Sequence, residues 1–177
     1  MAINLNNRKN VLLRCIVGPS LFKDKNELRN KVISEFHKCL LKMDISSRLV
    51  IIDPYLYMPN KDEGKEKKIE RAKFFISMFR PCIESLEKLV IIFANKIDLE
   101  FKTLLDAEFK AINSNLEIAC YRSNIFHDRF VFNPLLVNGI ALGASFNGIL
   151  KNTNRFDNIS TEEAEDLERL LYSQNLL

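Results

Sequence analysis

The sequence predicts an α/β fold, a central mixed sheet flanked by helices on both faces, and three observations carry that prediction. Two continuous apolar runs, Leu49-Val50-Ile51-Ile52 and Leu89-Val90-Ile91-Ile92-Phe93, have no polar face, so each belongs to a central strand covered on both sides. Between and after them, apolar residues recur at the spacing of one helix face. Beyond residue 121 the alternation stops, and extended segments at 127–133 and 139–145 follow one another directly, which reads as an antiparallel hairpin added late.

Taken in order, residues 11–17 form a strand closed by Gly18-Pro19, and Leu28, Val32, Phe36, Cys39 or Leu40, and Met43 mark a helix over 25–43. The first central strand spans 48–53 and ends at Asp53-Pro54, the kind of strand end where sites in open α/β sheets collect. The charged segment 60–68 is expected as an exposed loop leading into a helix marked by Ile69, Ala72, Ile76 and Phe79, which Pro81 breaks or kinks. A second central strand at 88–94 follows, then a helix marked by Phe101, Leu105, Phe109 and Ile112, and a strand at 116–121. Asn138-Gly139 supplies the hairpin turn, and Ser160 with Glu163 makes a capping box for a last helix through Leu167 and Leu171.

At 177 residues and 47% hydrophobic, the chain fills one domain, 1–177, and is too short for two comfortable ones. A net charge of +3 suits a local anionic site but falls far short of the loading of a protein that coats nucleic acid. No apolar run approaches the roughly 20 residues of a membrane span, so no transmembrane segment is expected. Cys15, Cys39, Cys82 and Cys120 are scattered through apolar patterns, as reduced core thiols of a cytoplasmic protein would be. With two histidines and no recognisable ligand spacing, neither a metal nor a cofactor is expected; His37 reads as a solvated residue on the first helix.

The chemistry concentrates in Ile125-Phe126-His127-Asp128-Arg129 and in Gly143-Ala144-Ser145-Phe146-Asn147. On an extended segment His127 and Arg129 share a face, because strand side chains alternate. A returning strand then brings Ser145 and Asn147 to the same end of the sheet. A nucleophile, a cation and hydroxyl and amide donors at one strand end is a set suited to phosphate. Asp53 or Tyr55, at the end of the first central strand, is placed to orient the imidazole.

This layout resembles the phospholipase D superfamily, whose signature is His-x-Lys, then Asp, then Gly-Ser-x-Asn. His127 and Arg129 stand for the first pair, and Ser145 and Asn147 for the last; arginine replaces lysine, Pro134 stands where aspartate is expected, and Ala144 separates Gly143 from Ser145. The order of strands and helices is similar to a single superfamily repeat, as in small dimeric bacterial endonucleases. Asp53-Pro54-Tyr55 and His127-Asp128-Arg129 are also similar to the phospholipase D-like C-terminal domain of MIT-domain proteins, thought to bind membranes without catalysis.

The resemblance implies two readings. In one, the chain is an intracellular phosphodiesterase, a nuclease, that is a C2 homodimer: one His127 attacks phosphorus, its copy protonates the leaving oxygen, and Arg129, Ser145 and Asn147 hold the non-bridging oxygens. Its phosphodiester ligand would be a nucleic acid ahead of a lipid. In the other, the domain is inactive, dimerises and binds anionic lipid, nucleic acid or a protein partner, with a larger complex as one setting. Arg129, Ser145, Asn147, Asp53 and Tyr55 are the substrate-binding residues of either reading.

Asn95-Lys96-Ile97-Asp98 matches the guanine-specificity motif of GTPases, but no glycine opens the phosphate loop G-x-x-x-x-G-K that nucleotide hydrolysis requires. The alternative is a strand end followed by a helix whose first turn carries Asp98 and Glu100, both favourable near a helix N-terminus. Calorimetric titration with GTP and magnesium is expected to show no binding; a micromolar Kd abolished by Asp98→Ala would overturn this.

Overall fold

A computed structural model describes residues 14–22, 24–94, 96–152 and 154–177. Among the described residues the strands are β1 (Arg14–Val17), β2 (Arg48–Ile52), β3 (Lys88–Phe93), β4 (Glu117–Arg122), β5 (Arg129–Asn133), β6 (Asn138–Leu142) and β7 (Asn154–Asn158). They form one mixed sheet in the order β1-β7-β6-β5-β2-β3-β4. β2, β3 and β4 are parallel, whereas β5, β6, β7 and β1 are joined antiparallel. The part of the expected first strand at 11–13 lies outside the described residues, as do Asn95 and the side chain of Cys15.

Helices cover both faces. Alternate residues of the central strands, Leu49, Ile51, Leu89, Ile91 and Val131, pack with α1 (Lys25–Met43), α2 (Lys65–Ile83) and α3 (Leu99–Ile112). The intervening Val50, Ile52, Val90, Ile92, Phe130 and Phe132 pack with Ala164, Leu167 and Leu171 of α4 (Thr161–Ser173). The two apolar runs thus feed both layers. α4 opens on the expected capping box: Ser160 accepts from the Glu163 amide, and Glu163 accepts from the Ser160 amide. Among the described residues, no helix is long and apolar enough to cross a membrane.

Four expectations are corrected. β5 begins at Arg129, so His127 lies in the segment before the strand and strand alternation does not fix its face. The hairpin turns at 134–137, not at Asn138-Gly139: Asn133 pairs with Asn138, and Val137 takes the left-handed conformation at φ 47°. Gly139 instead answers a close approach inside the sheet, since a Cβ there would stand 2.7 Å from the Val131 carbonyl oxygen. β7, unpredicted, is polar apart from Phe156. That ring packs on Phe36 at 5.5 Å, and the buried Asn154 amide donates to the Asn152 carbonyl at 2.9 Å.

The last two corrections explain each other. Pro81 does not end α2, which continues to Ile83. A proline at 81 cannot donate to the carbonyl four residues back, that of Ser77. His37 on α1 fills the gap, its Nε2 lying 2.8 Å from the Ser77 oxygen. A carbonyl can only accept, so Nε2 carries the proton. His37 is therefore half-buried between helices rather than solvated. His37→Ala is expected to cost about 1–2 kcal/mol in urea unfolding by leaving this carbonyl unpaired. In a Pro81→Ala background the restored amide should take the bond, and the cost of His37→Ala should fall by at least about half in the double-mutant cycle.

Candidate functional site

Asp53 directly follows β2, and its amide still donates to the Ile92 carbonyl at 3.0 Å, so the carboxylate is set by the sheet itself. Its side chain follows Leu49 and Ile51 onto the face covered by α1, α2 and α3, and it is fully buried. Oδ1 accepts from the Tyr55 amide at 2.9 Å; Oδ2 accepts from Ser145 Oγ and the Phe146 amide, each at 2.8 Å. Burial raises the Asp53 pKa above the ordinary carboxylate value, while these three donors and the charge of Arg129 pull the other way.

Phe146 explains how a loop reaches this carboxylate. Its ring sits 4.9 Å from Phe75, 5.4 Å from Phe79 and 5.8 Å from Phe36, anchoring the 3-10 turn Phe146–Gly148 in the core. Ser145, the cap of that turn, accepts from the Asn147 amide at 3.2 Å through the same Oγ that donates to Asp53. The anchor thereby presents the Ser145 hydroxyl and Phe146 amide to one acceptor.

Arg129 opens β5 opposite Leu142, on the same face as Asp53. Its guanidinium lies 5.0 Å from the centre of the Tyr55 ring, a cation–π distance, and its buried Nε has no hydrogen-bond partner. Asp53 thus fixes Tyr55 through its amide, and Tyr55 underlies the arginine. His127 is exposed, with no hydrogen bond or ion pair among the described residues; neither Asp53 nor Tyr55 is bonded to it. Pro134 lies beyond the far end of β5 from Arg129, about 16 Å along a five-residue strand.

Asn147 turns away from this group. Its Oδ1 accepts from Asn60 Nδ2 at 2.9 Å and Arg71 Nη1 at 3.1 Å, while its Nδ2 donates to the Met58 carbonyl at 3.1 Å. Arg71 also pairs with Glu63 at 2.7 Å and stacks 3.4 Å above the Phe101 ring. This second cluster was not foreseen, although a signal existed: Arg71 stands four residues before Phe75, on the apolar stripe of α2, where a cation needs a partner.

The Asp98 carboxylate of the GTPase-like segment is structural. It caps α3 by accepting from the Phe101 amide at 3.0 Å, and it pairs with Lys68 at 2.9 Å. Burial pushes its pKa up, but the Lys68 ammonium and the Phe101 amide outweigh it and hold the group below the usual carboxylate range. It is the N-cap rather than a first-turn residue; Glu100 does lie in the first turn. Cys39 and Cys82 are buried free thiols, and Cys120 is half-buried and free.

No protein-family model matches the chain, and no curated protein matches it.

Ser145→Ala removes one donor from a buried carboxylate. It is expected to destabilise the fold by about 1–3 kcal/mol near neutral pH and to raise the Asp53 pKa further, read by carbon NMR of its carboxyl. The bond serves the ionised form, so the loss should shrink as pH falls through the Asp53 titration; a loss independent of pH would refute the assignment.

Proposed function

We propose that this chain is a phospholipase D-like domain that binds phosphate-bearing ligands through Arg129 without turning them over. The observation that carries this reading is the use of the would-be catalytic donors for structure. The Ser145 hydroxyl has one proton and spends it on Asp53, and both ends of the Asn147 amide are engaged by Asn60, Arg71 and Met58. Neither is left to hold a transferring phosphoryl group, as stabilisation of its charge would require. Arg129 keeps a permanent charge and a planar fork suited to two phosphate oxygens, on a platform set by Tyr55 and Asp53.

The phosphodiesterase reading draws support from His127, whose exposed imidazole is open to a ligand or to a second copy of the chain. That mechanism needs a C2 homodimer to bring two imidazoles to one phosphorus, and release of Asn147 from its cluster. A nucleic acid or a lipid head group supplies the phosphate in either reading.

Equilibrium binding of a short single-stranded oligonucleotide and of anionic vesicles, alongside hydrolysis of bis(p-nitrophenyl) phosphate, separates the readings. Arg129→Ala is expected to weaken binding about tenfold or more, and His127→Ala less than about twofold, because arginine carries the fixed charge and the fork. No hydrolysis is expected from either protein. Hydrolysis by the wild type that His127→Ala abolishes would establish the enzyme instead; binding that ignores Arg129 would remove the anion site.

A further inference from the structure

A groove of about 410 Å³ lies on the other side of the 145–148 turn, between the start of α1, the segment entering α2 and the residues after Asn147. Its volume falls in the range of small-molecule sites. Besides Arg71, five cations line it: Lys25, Arg29, Lys61, Lys67 and Lys151. Once Arg71 and Glu63 are paired with each other, only Asp62 and Glu70 oppose them. Among the described residues, none of the four lysine ammonium groups has a hydrogen bond or ion pair. Lys25 opens α1 and Lys67 lies in the first turn of α2, so both ammonium groups reinforce the positive ends of their helix dipoles, a placement that costs stability unless an anion offsets it.

The floor is apolar. Phe74, Phe146, Ile149 and Leu150 form it, and the Arg29 guanidinium is held 4.9 Å from the Phe74 ring centre. The wall is preset by the Asn147, Arg71, Glu63 and Asn60 network, which needs no ligand to form. An inorganic ion would use the rim and waste the floor. A purely apolar ligand would leave the cations unmatched.

We propose that this groove is a second ligand site, distinct from Arg129, that takes a small organic phosphate: a multiply charged head on the lysines and Arg29, and an apolar or aromatic body on Phe74 and Phe146. A nucleotide and a short-chain lipid phosphate share this chemistry. Binding of AMP, octyl phosphate and inorganic phosphate to the full chain, followed by amide NMR and calorimetry, tests the site and tells the two sources apart.

At least one organic phosphate is expected to bind about tenfold or more tightly than inorganic phosphate, with shifts at Lys67, Phe146 and Lys151. The exposed charge reversals Lys67→Glu and Lys151→Glu together should weaken it about tenfold or more without lowering Tm, and Arg129→Ala should leave it unchanged. AMP binding with octyl phosphate inert assigns a nucleotide; the converse assigns a lipid phosphate. Failure of all three probes at millimolar concentration, binding indifferent to the reversals, or binding lost with Arg129→Ala would each overturn the proposal. Because Arg129→Ala is the lesion that tests the first site, the two sites fail separately.

Discussion

The end of β2 depends on how one buried carboxylate is satisfied. Asp53 has no access to water, and an ionised carboxyl there is tolerable only with donors arranged around it. It obtains one from its own chain two residues on and two from a turn more than ninety residues away. Those bonds join the parallel half of the sheet to the loop between β6 and β7 in the antiparallel half. Removing any of them would leave part of a buried charge uncompensated, which costs more than the bond itself contributes.

From that constraint the surroundings follow. The backbone bond to Tyr55 places a ring where Arg129 can stack, and the bonds to Ser145 and Phe146 hold the turn whose next residue, Asn147, reaches into the Arg71 cluster. One turn therefore has its first residue committed to the arginine side and its third to the groove side. The aromatic cluster of Phe36, Phe75, Phe79 and Phe146 anchors this partition, its rings in contact at centroid distances of 4.9–5.8 Å.

How much of this could be read from residues alone depends on the range of the forces. The apolar runs of β2 and β3, the stripe of α1 and the Ser160 cap are local patterns, and each marks its element. So does the strand end at Asp53. β7 was invisible because its stability lies in pairings with β1 and β6 and in one inward ring, not in alternation. Pro81 misled because the partner that rescues its helix is a histidine on a different helix. Strand order places Arg129, Ser145 and Asp53 at one end of the sheet, but Asp53 bonds Ser145 and not His127; the orientation of Asn147 was not legible, since Asn60 and Arg71 both bond its amide oxygen from a distant segment.

The position of β1 has a consequence for the order in which the chain can assemble. Among the described residues, β1 is an edge strand whose one strand partner is β7, about 140 residues later in the chain. During synthesis β2, β3 and β4 can pair with α1, α2 and α3 already laid over them, while β1 must wait until 154–158 have left the ribosome. α4 emerges later still, so the face carrying Val50, Ile52, Phe130 and Phe132 stays uncovered until residues 161–173 have been made. Such a face is the kind of surface that holding chaperones bind and that aggregation exploits. This face of the nascent chain is thus most vulnerable just before α4 docks, and a stall between β6 and α4 would be more damaging than one earlier.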